Sequence, residues 1–100
     1  MANVRPKVAV IILTWNRKED IVNCLRYLRR VTIYGYDLST FVIDNGSSDG
    51  TIAELNKITN FPFRIVENGR NLGFAAGNNI GIKTALEEGA DYILLLNNDT

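Results

Sequence analysis

The run Val8-Ala9-Val10-Ile11-Ile12-Leu13 is the strongest constraint on what this chain folds into. It is continuously apolar and rich in β-branched side chains, so it has no polar face to show to water. Such a strand suits the inside of a parallel sheet covered on both faces. A second run, Phe41-Val42-Ile43, is of the same kind but ends in Asp44. It then enters Asn45-Gly46-Ser47-Ser48-Asp49-Gly50-Thr51, a turn dense in small polar residues, followed by a helical apolar pattern at Ile52, Leu55 and Ile58. In parallel α/β sheets ligands lie in the crevice beyond the carboxyl ends of the strands. An ordinary strand-to-helix turn accounts for Ser48 or Asp49 as an N-cap. It does not account for Asp44, which lies on the strand side of the turn and is expected to face a ligand.

The rest of the chain repeats the alternation. Asn16, with Glu19 reaching back, reads as a helix start. Ile21, Leu25 and Leu28 then recur at helical spacing to about Val31. Residues 32–39 contain Gly35 and read as loop, so the second strand is expected from Thr40 to Asp44 and the second helix from Gly50 to Ile58. Asn60-Phe61-Pro62 breaks the pattern, and Phe63 to Glu67 makes a short third strand. Asn68 to Gly73 is a loop of residues that tolerate tight or left-handed backbone. A third helix is predicted from Phe74 to Glu88, with Gly89 as its C′ residue. Its front half (Ala75, Ala76, Gly77, Asn78, Asn79, Gly81) is small or polar. Glycine costs helix stability, so something there requires close backbone approach. Asp91 to Leu96 is the fourth strand.

Alternating strands and helices build right-handed βαβ units. The expected fold is a three-layer α/β domain with a mostly parallel sheet in the order 3-2-1-4, helices covering both faces. The winding reverses between strands one and four, where a ligand is expected.

Composition narrows the function classes. Eleven basic and eleven acidic residues cancel, which removes a general electrostatic case for nucleic acid or an anionic membrane. The run Arg26, Arg29, Arg30 on the first predicted helix reads as a solvated face. The single cysteine, Cys24, excludes an internal disulfide and fits a reducing, cytoplasmic setting. The chain contains no histidine, which excludes a Cys–His nucleophile pair. No apolar run is long enough to span a bilayer, and the first residues lack the apolar core of a signal peptide. The turn after the first strand, Thr14-Trp15-Asn16-Arg17, has no glycine, which excludes a dinucleotide fingerprint, and no P-loop occurs. An acidic cluster and phosphorylatable aspartate of a receiver domain are missing as well.

Four stretches carry a resemblance to a known family. They are Ile12-Leu13-Thr14-Trp15-Asn16-Arg17, Val42-Ile43-Asp44-Asn45-Gly46-Ser47-Ser48-Asp49-Gly50-Thr51, Asn71-Leu72-Gly73-Phe74-Ala75-Ala76-Gly77-Asn78-Asn79-Ile80-Gly81, and Leu95-Leu96-Asn97-Asn98-Asp99-Thr100. In this order and spacing the chain resembles the family 2 glycosyltransferases of the GT-A fold, from Val8 to Thr100. The Asn-Leu-Gly-Phe-Ala-x-Gly-Asn-Asn form is similar to the rhamnosyltransferase-like branch. The resemblance implies a donor site for a UDP- or dTDP-linked sugar, lined by Thr14, Trp15, Asn16, Asp44, Asn71, Gly73, Gly77, Asn78 and Asn98. Asp44 would accept a hydrogen bond from a uracil or thymine N3–H, which cytosine lacks. Arg70 would lie near a phosphate or simply face solvent. Asp99 would hold Mn²⁺ or Mg²⁺ against the diphosphate. Asn97-Asn98-Asp99 replaces the first acid of the family's Asp-x-Asp motif with an amide, which implies weak metal binding without nucleotide.

On this reading residues 1–100 form the nucleotide-sugar-binding, N-terminal part of a GT-A domain, inactive alone. The general base for a saccharide or lipid-linked acceptor would lie beyond Thr100, and the full enzyme would be cytoplasmic, at most at the inner face of a membrane. The uncharged fourth strand, at the sheet edge, is expected to self-associate. Two other readings stand beside this one: a non-catalytic nucleotide-binding module and a structural α/β fragment.

Overall fold

The computed structural model describes residues 5–31 and 33–98. Seven elements follow one another: β1 (Lys7–Thr14), α1 (Lys18–Leu28), β2 (Asp37–Asp44), α2 (Thr51–Asn56), β3 (Arg64–Glu67), α3 (Phe74–Glu87) and β4 (Tyr92–Asn97). The strands form one parallel sheet in the order β3-β2-β1-β4. Order, direction and layering are those expected from the alternation of apolar runs.

β1 is the axis of the sheet. It pairs with β2 from Lys7↔Asp37 to Thr14↔Asp44 and with β4 from Val8↔Tyr92 to Leu13↔Asn97. Its side chains alternate between two cores. Val10 and Ile12, with Val42, pack against Ile21 and Leu25 of α1 and Leu55 of α2. Ala9 and Ile11, with Phe41 and Ile43, pack against Ala85 of α3. A strand buried on both faces must be apolar at every position, and each large side chain removed from water contributes about 1.5–3 kcal/mol.

The glycines of α3 find their reason in this packing. A Cβ on Gly81 would lie 2.7 Å from Ile11 Cγ2 and 2.8 Å from Ile43 Cγ1, and one on Gly77 would lie 2.7 Å from Leu13 Cδ1. The helix therefore sits closer to the sheet than any other residue allows. At Gly77 and Gly81 the close approach is made to β1 and the end of β2, a contact that the resemblance, which has Gly73 to Gly77 approached by a nucleotide, did not imply. The helix ends as expected: Gly89 takes φ +91°, its N–H donates to Leu86 O, and Ala90 N–H donates to Ala85 O. These two bonds are a Schellman cap.

Several boundaries differ from the sequence reading. β2 begins at Asp37 rather than Thr40, because Asp37, Leu38 and Ser39 pair with the start of β1 despite their weak strand pattern. α1 closes at Leu28 and α2 at Asn56, before the last apolar residues of each pattern. Val31 and Ile58 fall just past the helices, their N–H groups donating to Leu28 O and Leu55 O. Asn16 is not the cap of α1. It takes φ 50°, the cap position falls on Arg17, and the asparagine side chain serves another loop.

Gly81→Ala tests the helix–sheet contact. Alanine gains about 1 kcal/mol of helix propensity, whereas overpacking costs about 1–3 kcal/mol. Urea unfolding of the variant is expected to show a net loss of about 1 kcal/mol; a gain would mean the helix shifts freely.

Candidate functional site

Each strand of a parallel sheet delivers its following loop to the same end, so four strand termini meet there: Thr14, Asp44, Glu67 and Asn97. Cross-loop hydrogen bonds join the segments that follow them. The Asn45 N–H donates to Thr14 O at 2.9 Å and the Asn68 N–H to Asp44 O at 2.8 Å, extending the ladder past the strands. Asn98 Nδ2 donates to Thr14 Oγ1 at 2.8 Å, tying β4 to β1.

Asn16 and Ser47 lock the first two loops together. The Asn16 N–H donates to Ser47 Oγ at 2.9 Å, and the Ser48 N–H donates to Asn16 Oδ1 at 2.7 Å. Ser47 passes the connection inward, its hydroxyl donating to Asp44 Oδ1 at 2.5 Å and its N–H to Asp44 Oδ2 at 3.0 Å. Asp44 is 2% exposed. Both oxygens are engaged by Ser47, so the acid first of all fixes its own loop. A carboxylate offers about four lone-pair sites, so about two remain.

A second set of amides joins the β2 and β3 loops. Asn45, also 2% exposed, donates from Nδ2 to Gly73 O at 3.1 Å and accepts at Oδ1 from Asn68 Nδ2 at 2.8 Å. Asn71 Oδ1 accepts the Gly73 N–H at 2.8 Å, and lies 3.4 Å from Asn45 Nδ2. Gly46 permits the two loops to meet. At φ +83° it occupies the left-handed region, and a Cβ there would lie 2.6 Å from Arg70 Cα. Arg70 itself is exposed.

Asp49 closes the assembly on its outer side. Oδ2 accepts the Lys18 N–H at the start of α1 (3.1 Å), and Oδ1 accepts the Thr51 N–H (3.1 Å) and hydroxyl at the start of α2. One carboxylate thus serves the positive ends of two helices, where an anion is favoured. Desolvation raises its pKa, but the bonds from the Thr51 hydroxyl and the Lys18 and Thr51 amides outweigh it and hold the carboxyl below its ordinary value. The expected N-cap role of Asp49 is present and extends to the neighbouring helix, although Gly50 occupies the cap position of α2.

The residues singled out from sequence fall into three groups. Thr14, Asn16, Asp44, Asn71, Gly73 and Asn98 belong to the bonded rim. Trp15, 49% exposed, stands beside it. Gly77 and Asn78 are on the buried face of α3, Gly77 against Leu13 and the Asn45 amide. Asp99 lies outside the described residues. Asn45, Ser47 and Asn68 were not singled out, although an asparagine within a few positions of every strand end was the available signal. Among the described residues no three His, Cys, Asp or Glu side chains cluster as a metal cage. Beside the reversal of winding, a groove of about 410 Å³ runs between α1 and β4, lined by Asp20, Cys24, Tyr27, Leu96, Asn97 and Asn98. Burial pushes the Cys24 thiol up from its usual value, so it stays protonated.

The sequence profile described as glycosyl transferase family 2 matches residues 9–100. The chain belongs to this family. No curated protein matches it. Among solved structures, mannosyltransferase PcManGT from Pyrobaculum calidifontis, in complex with GDP-Man and Mn²⁺, is similar over 96% of this chain, with a TM-score of 0.71 and 24% identity. The likeness shows a shared fold, and this family 2 chain spans 28% of that protein's length.

In this family 2 member the rim predicts a pH-dependent stability. A carboxyl with a depressed folded pKa stabilises the fold above its unfolded pKa, and that contribution is lost as pH falls through the folded value. Asp49→Ala is expected to cost about 2 kcal/mol at neutral pH by losing its caps. The difference from the parent chain should shrink as pH drops below about 4. Urea titrations at several pH values measure both; a gap independent of pH would show that the charge of Asp49 plays no part.

Proposed function

We propose that this chain is the donor-binding part of a glycosyltransferase that moves a sugar from a UDP- or dTDP-linked donor to an acceptor hydroxyl. Family membership supports the reaction class. The observation that carries the site is the rim itself. Loops from all four strands are held together at the ligand-binding end of a parallel sheet by side chains that cross between them. Side chains fixed in this way lose little further freedom when a ligand binds, which favours affinity.

In this reading Thr14, Trp15 and Asn16 flank the nucleotide, and the acceptor sites left on Asp44 take an N–H of the base. Asn71 and Gly73 present backbone and amide groups to the ribose and diphosphate, and Asn98 borders the sugar end of the groove. Gly77 and Asn78 act from behind by seating α3. Asp99 would hold Mn²⁺ or Mg²⁺ together with the phosphates, since such ions need only one or two protein carboxylates there. The bound ion would supply stabilisation of the charge on the departing diphosphate. PcManGT, with its GDP-Man and Mn²⁺, supports a nucleotide-sugar donor and a divalent ion. Its base is guanine, whose N1–H is a donor like that of uracil, so Asp44 suits it equally and guanine belongs in the test.

Residues 1–100 are read as the N-terminal, nucleotide-sugar-binding part of the catalytic domain, of the rhamnosyltransferase-like branch and inverting. The general base for a saccharide or lipid-linked acceptor is placed beyond Thr100, and the enzyme in the cytoplasm. Isolated copies self-associate through the β4 edge, where Leu94 and Leu95 are each 47% exposed; light scattering showing monomers at high concentration would remove that part of the reading.

Calorimetric titration with UDP, dTDP and GDP, each with and without Mn²⁺, tests the donor site. Binding that depends on the ion is expected with one nucleotide, and is lost in folded Asp44→Ala and Asp99→Ala proteins. A folded chain that binds none of the three has no donor site of its own.

A further inference from the structure

Asparagine is followed directly by glycine twice, at Asn45-Gly46 and Asn68-Gly69, and both pairs lie in the rim. The pair has a chemistry of its own. Glycine has no Cβ, so its backbone nitrogen can approach the side-chain Cγ of the asparagine before it. Once the glycine N–H has given its proton to water, the nitrogen bonds to Cγ and the Cγ–Nδ2 bond breaks, releasing ammonia. Water then opens the cyclic imide at one carbonyl or the other, leaving an aspartyl or an isoaspartyl residue. Water is the only co-reactant.

The structure separates the two pairs. Neither glycine N–H donates to an acceptor among the described residues, so they differ in room and in how the amide is held. Asn45 is 2% exposed, and its amide is held at both atoms, by Gly73 O at 3.1 Å and by Asn68 Nδ2 at 2.8 Å. Gly46 lies backbone to backbone against Arg70, where a Cβ would stand 2.6 Å from Arg70 Cα. That contact opposes the swing that ring closure needs. Asn68 is only half-buried and Gly69 is exposed, with nothing within 4 Å of where its Cβ would stand. Among the described residues the Asn68 amide is tied through Nδ2 alone.

We propose that Asn68 is the residue at which the folded chain deamidates, and that the product unties the β3 loop from the β2 loop. The tie is the bond from Asn68 Nδ2 to Asn45 Oδ1. A carboxylate in place of the Asn68 amide only accepts. It sets two acceptors against each other and leaves the oxygen of a buried side chain without its donor. The isoaspartyl form also lengthens the main chain by one carbon just ahead of Arg70, whose backbone fits against Gly46 with no space to spare. The rim thus carries a site at which its own loop tie is lost with age, whatever ligand it takes. The inference does not depend on the donor-site reading.

Incubation of the folded chain at mildly alkaline pH, followed by tryptic peptide mapping with mass spectrometry, decides it. Trypsin releases residues 31–57 and 65–70 as separate peptides. The second is expected to acquire aspartyl and isoaspartyl forms at Asn68. Asn45 should react at least about tenfold more slowly, the factor that about one hydrogen bond is worth in a rate. In urea, with the fold gone, the two pairs should react at similar rates. The aged chain and an Asn68→Asp variant should both unfold at lower urea concentration than the parent, and the aged chain alone gives this reading if the variant does not fold. Equal rates in the folded chain overturn the inference. So does a preference for Asn68 that persists in urea, or an intact Asn68 in the folded chain after both pairs have reacted in urea. An aged chain as stable as the parent overturns the loss of the tie.

Discussion

Burial of β1 on both faces and both edges is the constraint on which the structure depends. Every backbone N–H and C=O of a buried strand needs a partner, and β2 and β4 supply them from either side. Every side chain needs an apolar neighbour, which places α1 and α2 over one face and α3 over the other. Right-handed crossovers then leave the order β3-β2-β1-β4. All strands point the same way, so all their outgoing loops collect at one end.

That collection creates the site and the problem it has to solve. Loops carry polar backbone that no ladder satisfies, and here asparagine and serine side chains supply the missing partners across loop boundaries. Asparagine suits the task because one amide donates and accepts at once. Asp44 and Asp49 anchor the arrangement, Asp44 inside the β2 loop and Asp49 between the starts of two helices. A rim built in this way is held by its own side chains without any ligand.

Much of the fold was legible because a strand buried on both sides has only one kind of sequence. Val8 to Leu13 could not sit at a surface, and the helical patterns between the apolar runs allowed only a parallel sheet. The family was legible from four short motifs in order. Individual roles were harder to read. Asp44, read as facing a ligand, also holds Ser47, and Asn16 was expected to cap α1 but reaches across to Ser48. A cap and a cross-loop bond use the same side chains, and sequence spacing reports only the local alternative.

The sequence by itself determined which segments are strands and helices, their parallel stacking and the end of the sheet where the polar loops meet, because hydrophobic periodicity and connection handedness are local rules. Only the tertiary structure decided that Gly77 and Gly81 serve the helix–sheet contact, that Asn45 links two loops, and that Asp49 serves two helices. Each of those facts joins residues distant in the chain through a few ångströms of space, and such distances are set by how the layers pack rather than by any pattern along the chain.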